Sequence, residues 1–313
     1  MNKLIVSSSP HIRTATTTPG IMLDVLIALL PTTVAGVIIY GWRALLVIAA
    51  CVATSVLSEY LFNLIVKKQQ TVADLSAAVT GLILALNLRA DAPIWQCVIG
   101  SVFAIIVVKC LFGGLGCNFA NPAATGRIFM MLCFASTIGG GAMPKIAGAE
   151  LVSGPTPLDA LESGAYLPSM LDMLLGIRGG AIGESCILAI VIGFAYLVSR
   201  GVIKFETPLI FVATVFLGTL LLSNDLVYSV YAILAGGLVF ASVFMITDYV
   251  TTPITRTGKM VFAFGCGVIT VLIRFFGAYP EGVSLSILLM NILSPYIEKW
   301  TEKTPLGAKG GRK

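Results

Sequence analysis

Residues 21–66 read IMLDVLIALLPTTVAGVIIYGWRALLVIAACVATSVLSEYLFNLIV. Only Asp24, Arg43 and Glu59 are charged in this stretch. About 20 consecutive apolar residues suffice to cross the hydrocarbon core of a bilayer as a helix. The stretch divides into two such runs, 21–40 and 43–66.

The rest of the chain repeats the pattern. Hydrophobic types make up 57% of the 313 residues and charged types 11%. Soluble domains carry roughly 25% charged residues, so lipid must solvate much of this surface. The apolar runs predict ten candidate helices: 21–40, 43–66, 73–88, 94–112, 121–137, 184–199, 207–222, 226–246, 260–276 and 282–298. Those at 73–88 and 121–137 are short, polar-flanked or Gly-interrupted. Such segments often line a site rather than face lipid. Residues 1–20 lack a continuous apolar core and a cleavage site, and read as a polar lead-in.

Lys and Arg set the orientation. With ten spans and an inside N-terminus, 15 of the 20 basic residues fall inside, among them Lys67, Lys68, Lys109, Arg200 and Lys204. The reading is a first half at 21–137, an outside loop at 138–183, a second half at 184–298 and a basic inner tail at 299–313. Five spans on each side of the loop would make the halves inverted repeats. The fold expected is all-α and polytopic, with about ten transmembrane helices in two inverted five-helix repeats, some broken or half-length. The net charge of +5 lies at span ends and in the tail, which gives no reason to expect nucleic acid. None of the seven cysteines forms a C-x-x-C pair, and the Cys110–Cys117 spacing matches no common metal motif.

Four segments carry polar chemistry. The outside loop holds Glu150-Leu-Val-Ser153-Gly154-Pro155-Thr156, which by itself reads as a surface turn. Residues 112–127 read FGGLGCNFANPAATGR. Their glycines allow close backbone approach, and Asn118 and Asn121 offer amides. Pro122 suits the first position of a helix capped by Asn121, whose N-terminus favours polar or anionic groups. A plain Gly-rich turn is the alternative. Residues 244–255 read FMITDYVTTPIT, where hydroxyls crowd Asp248 as an ion or ligand site, or simply as a hydrated loop. Residues 274–284 read RFFGAYPEGVS, an aromatic outer turn. Asp24, Glu59, Asp74, Glu184 and Asp248 lie in or beside spans, where charge is costly and usually functional.

In order along the chain stand Asp74-Leu-Ser-Ala-Ala-Val-Thr80-Gly81-Leu, Asn118-x-x-Asn121-Pro-Ala-x-x-Gly-Arg127, Thr247-Asp248-x-x-Thr-x-Pro253 and Phe276-Gly-x-Tyr-Pro-Glu-Gly-Val283. Together they resemble the RnfD/NqrB family, the D subunits of Rnf electron-transport complexes and their relatives in the sodium-pumping quinone reductase. The resemblance spans about residues 20 to 298.

That resemblance implies a redox-driven Na⁺ or H⁺ pump component of the bacterial cytoplasmic membrane, relaying electrons between ferredoxin and NAD. In the family, the last Thr of an Asp-x-x-Ser/Thr-Gly-Ala-Thr motif carries FMN through a phosphoester, attached outside the membrane by a flavin transferase. Thr156 takes that position here, beside Ser153 and Gly154, with Glu150 and Pro155 as departures. Relatives also hold a non-covalent riboflavin near the two Asn of the Gly-rich segment, which carries over to Asn118 and Asn121, with Arg127 nearby. The chain has neither a dinucleotide-binding Gly motif nor a cysteine cluster. The NAD site, the iron–sulfur centres and a second flavin protein therefore fall to partner subunits. For an ion pump, Asp24, Glu59, Asp74 and Asp248 become candidates for the ion path. A non-redox channel or secondary transporter is the competing reading, and it implies no bound chromophore.

Overall fold

The computed structural model describes residues 17–144, 153–154, 156–163, 167–277 and 282–302. Helix α1 (Thr18–Tyr40) starts where the Thr17 hydroxyl accepts from Gly20 N–H at 3.3 Å. It ends at Gly41, whose φ of 76° lets the chain reverse directly into α2 (Trp42–Ile65). A single-turn 3₁₀ helix, Val72–Asp74, leads through Leu75 into α3 (Ser76–Leu86). Helix α4 (Ile94–Val102) continues as a π-helix over Phe103–Cys110, and Leu111 N–H reaches Ile106 O at 3.0 Å. Then come α5 (Pro122–Cys133) and the single turn α6 (Ala135–Ile138).

A layer of short elements follows. Strand β1 (Gly141–Ala142) pairs antiparallel with β2 (Ser153–Gly154), and α7 (Pro157–Ser163) and α8 (Met170–Leu175) lie beyond it. The second bundle comprises α9 (Ile187–Ser199), α10 (Glu206–Ser223), α11 (Leu226–Leu234), α12 (Leu238–Phe244), α13 (Arg256–Phe276) and α14 (Val283–Thr301).

The outer faces of α1 and α2 expose Leu30, Val34, Ile38, Leu57 and Leu64. Such continuous apolar surface belongs against lipid. Inside, small residues bring helices together. A Cβ on Gly193 of α9 would collide with Ala28 O of α1, and one on Gly81 of α3 would stand 2.7 Å from Ser55 Oγ of α2. Helix α3 is buried on nearly every side.

The span count is corrected here. Among the described residues, four helices are long and apolar enough to cross a membrane: α1, α2, α10 and α13. Helices α11 and α12, bent by 54° at their break, make a fifth if taken as one span. The ten spans in two inverted five-helix repeats are therefore not found. The physical reason is that hydropathy treats an apolar run as an unbroken rod, whereas several of these runs break. The 73–88 run is a 3₁₀ turn and an 11-residue helix, which covers about 16 Å. The 121–137 run breaks at Phe134, and the 184–199 run turns helical only at Ile187. Helix α14 has 19 residues but carries Ser284, Ser286, Asn291 and Ser294 on its buried face, with Pro295 inside it.

The short-element layer sits at one end of the long helices. Tyr40 Oη, at the end of α1, lies 2.5 Å from Ser185 Oγ and donates to Arg178 O at 3.3 Å. Ile182 and Gly183 N–H groups reach Leu88 O and Leu86 O, at and past the end of α3, at 2.9 and 2.7 Å. The opposite end holds the starts of α1, α3 and α13 and the end of α14, where Thr255 and Thr301 hydroxyls meet at 2.6 Å.

Candidate functional site

Asn121 is the keystone of a cavity at that opposite end. Its side-chain Oδ1 accepts from Ala123 and Ala124 N–H at 3.0 and 3.2 Å, while Pro122 occupies the first turn of α5. The amide nitrogen on the same side chain donates to Asp248 Oδ2 at 3.4 Å. Asp248 also accepts from Val250 N–H and Thr251 Oγ1, each at 3.1 Å. Asn291 of α14 locks the pair, with its oxygen accepting from Asn121 N–H at 2.9 Å and its nitrogen donating to Thr251 O at 3.2 Å. The 112–127 and 244–255 segments, 127 residues apart at this contact, are thus one structure.

A third segment joins them. Asp74 Oδ1 accepts from Ser76 N–H at 2.8 Å and from the Ser76 hydroxyl. That capping holds Leu75 in the left-handed region, at φ 63°, and aims α3 at the cavity. Ser76 and Thr80 line the cavity with Asn118, Asn121 and Asp248, and Ile83, Leu115, Leu197 and Phe244 give it apolar walls. The cavity opens at one side and holds about 80 Å³ of free space, less than the roughly 300 Å³ at which small-molecule sites begin. Asn118 Oδ1 is buried against it without a hydrogen-bond partner among the described residues. A buried polar atom of this kind calls for a ligand or water. Burial raises the proton affinity of the Asp248 carboxyl, partly offset by its bonds from Val250 and Thr251.

Lys109 closes the floor of the cavity. It stands on the π-helix, 1% exposed, and its Nζ donates to Glu59 Oε1 at 2.9 Å and to Ser76 Oγ at 2.6 Å. Glu59 Oε1 also accepts from Thr71 Oγ1 at 2.8 Å, and Asn63 Nδ2 donates to Thr71 Oγ1 at 3.0 Å. Positive-inside counting treats Lys109 as a loop cation, whereas the structure buries it. The signal is present in the sequence, since Ile105-Ile-Val-Val-Lys109-Cys-Leu-Phe112 puts a charge inside an apolar run. Asn291 carries no such signal.

The remaining candidates lie elsewhere. Asp24 pairs with Arg200 at 3.2 Å and accepts from Tyr196 Oη at 2.9 Å, away from the cavity lining. Arg127 is buried and donates to Asn87 Oδ1 at 2.7 Å. A Cβ on Gly237, at the α11–α12 break, would stand 3.0 Å from Glu184 Oε2 and 3.3 Å from Arg127 Nη1. Arg127, Asn87 and Glu184 thus form a separate polar cluster beside the α11–α12 break. Thr156 lies in the short-element layer, 4% exposed. Its carbonyl accepts from Ala160 N–H at 3.0 Å, which makes it the capping residue of α7. Strand β2 holds Ser153 and Gly154 just before it. Glu150, Pro155 and part of the 276–283 turn lie outside the described residues.

Comparison with known proteins assigns the family. The model of the "NQR2, RnfD, RnfE family" matches residues 5–307. The D subunit of the Na(+)-translocating ferredoxin:NAD(+) oxidoreductase complex of Acetobacterium woodii is 43% identical over 97% of this chain and 95% of its own length. The D subunit of the proton-translocating ferredoxin:NAD(+) oxidoreductase complex of Clostridium ljungdahlii is 37% identical over 98% of this chain and 97% of its own. The D subunit of the ion-translocating oxidoreductase complex of Escherichia coli K12 is 31% identical over 98% and 99%. With a family model covering nearly its whole length, and relatives aligned end to end, this membrane-embedded chain belongs to the NQR2, RnfD, RnfE family.

Proposed function

We propose that this chain is the flavin-carrying membrane component of a redox-driven Na⁺ or H⁺ pump that relays electrons between ferredoxin and NAD. Full-length similarity to D subunits of complexes with those activities supports the role. The observation that carries it is the cavity, where three separate polar segments meet around Asn118 Oδ1, which lacks a partner among the described residues.

The donor set matches a non-covalent riboflavin in its chemistry, and the apolar walls would have to move apart to admit the ring. Asn118 would bond a polar edge of the ring, Asn121 and Asp248 would border it, and Ile83, Leu115 and Phe244 would pack its faces. FMN would be held covalently through a phosphoester to Thr156, with Ser153 and Gly154 in the strand beside it. A bound flavin supplies the electron chemistry. The chain's own part is to orient the ring, keep water from it and set the buried charges around it. Because Thr156 is buried at the start of α7, the transferase would act before α7 docks onto Leu234 and Ala235.

The cavity lies beside Ile21 and Met22 at the start of α1, and Thr156 lies in the short-element layer toward the other end. Lys67, Lys68, Arg200, Lys204, Arg256 and Lys299 cluster at the cavity end, which supports a cytoplasmic cavity, cytoplasmic termini and an outer Thr156. Electrons would enter and leave through partner subunits carrying iron–sulfur centres, a second flavin and the NAD site. Glu59, Asp74 and Asp248, at the cavity end, are the acidic residues best placed for ion uptake.

In-gel fluorescence of the denatured chain, isolated from cells that contain the transferase, tests the covalent site. The band fluoresces in the wild type and goes dark in Thr156→Ala while the chain stays in the membrane. A dark wild-type band would favour the non-redox transporter instead.

A further inference from the structure

The Lys109–Glu59 pair stands between two spaces. On one side Lys109 lines the Asn118–Asn121–Asp248 cavity. On the other, its partner Glu59 lines a second pocket with Asn63, Thr71, Asp74 and Lys68. The second Glu59 oxygen, Oε2, is buried and has no hydrogen-bond partner among the described residues. A carboxylate oxygen left bare beside a hydroxyl, an amide and a second carboxylate is the oxygen-rich donor set of a small hard cation. The ammonium of Lys109 already neutralises the other oxygen. It hangs from a π-helix, a segment type that is rare and frequent at functional sites.

The structure assigns to Lys109 the role of a tethered cation, which competes with a free monovalent cation for Glu59 and yields the carboxylate when negative charge enters the adjoining cavity. The charges balance one for one. An electron from a one-electron donor of the complex adds one negative charge to the cavity. The ammonium shifts its hydrogen bonds from Glu59 toward that charge, and one monovalent cation enters the Glu59 pocket, so the net buried charge is unchanged. No covalent bond forms or breaks. The other ionisable groups facing these two spaces are Lys68, Asp74 and Cys110 on the pocket side and Asp248 and Tyr249 on the cavity side. The redox half of this role rests on the flavin reading of the cavity, whereas the competition for Glu59 does not.

The test uses the assembled complex and radioactive sodium ion, measured at equilibrium without turnover. Lys109→Gln keeps a donor for Glu59 but removes the charge. It raises sodium affinity by about tenfold or more, and adding Glu59→Gln abolishes the gain. Unchanged affinity in Lys109→Gln overturns the assignment. A second measurement on the wild type covers the case in which that variant does not assemble. Dithionite reduction raises sodium binding, or produces net proton uptake in sodium-free medium where the cation is H⁺. Reduction that takes up neither ion overturns the proposal. Extraction of the same samples reports whether the cavity flavin is present. A flavin-free complex that still gains affinity in Lys109→Gln refutes the flavin reading and leaves the competition standing.

Discussion

At the residue scale, Asn121 serves two purposes, and the two can be separated. It caps α5 with its oxygen and borders the cavity with its nitrogen. Asn121→Ala should cost about 1 kcal/mol through the lost cap and also deplete non-covalent flavin. Asn118→Ala should deplete flavin with little change in thermal stability, because its buried oxygen has no partner to lose among the described residues. Thermal unfolding combined with flavin extraction separates the two variants. Asp248 adds a pH dependence. Its folded-state proton affinity is raised by burial, so the folded chain binds the proton more tightly than the unfolded chain. Its contribution is fully present below the ordinary carboxylate range and is lost as pH rises through the raised value. Asp248→Asn should flatten that part of a stability–pH profile, and a profile identical to wild type would remove Asp248 as its source. The Asn121 cap and Pro122 were legible in the sequence because capping is local. The pairing of Lys109 with Glu59 was not, because the two residues are 50 apart in the chain.

At the element scale, the long helices were legible and the broken ones were not. The α1–α2 pair announces itself by two apolar runs about the length of a bilayer. The ends of α3, α5 and α9 are set by contacts that hydropathy does not see. Asp74 caps the start of α3, and Gly183 N–H takes the carbonyl of its last residue, Leu86. Gly193→Ala would force α9 away from the Ala28 carbonyl, at a cost of about 1–3 kcal/mol from overpacking. A melting temperature equal to wild type would show that the α1–α9 contact gives way easily. The Glu59–Lys109 pair joins α2 to the π-helix, and removing either partner should cost about 3–5 kcal/mol by stranding a buried charge. The double variant Glu59→Gln, Lys109→Met should recover much of that loss. A strictly additive double variant would mean the two side chains are not coupled.

At the scale of the whole molecule, polar chemistry is divided between two ends of a lipid-facing bundle. One end holds the Asn118–Asn121–Asp248 cavity and the Glu59 pocket, and the other holds the short-element layer with Thr156. The motifs were legible singly, but their meeting was not, because it depends on how α3, α5 and α12 are packed. Family membership follows from alignment along nearly the entire chain, and the flavin reading of the cavity is the proposal to be tested. Its direct measurement is the non-covalent flavin released on denaturing the complex, compared between the wild type and the Asn118→Ala, Asn121→Ala double variant. The account predicts that the variant releases less flavin by one equivalent per chain, while the covalent fluorescence at Thr156 persists. Equal release from the two complexes would contradict it.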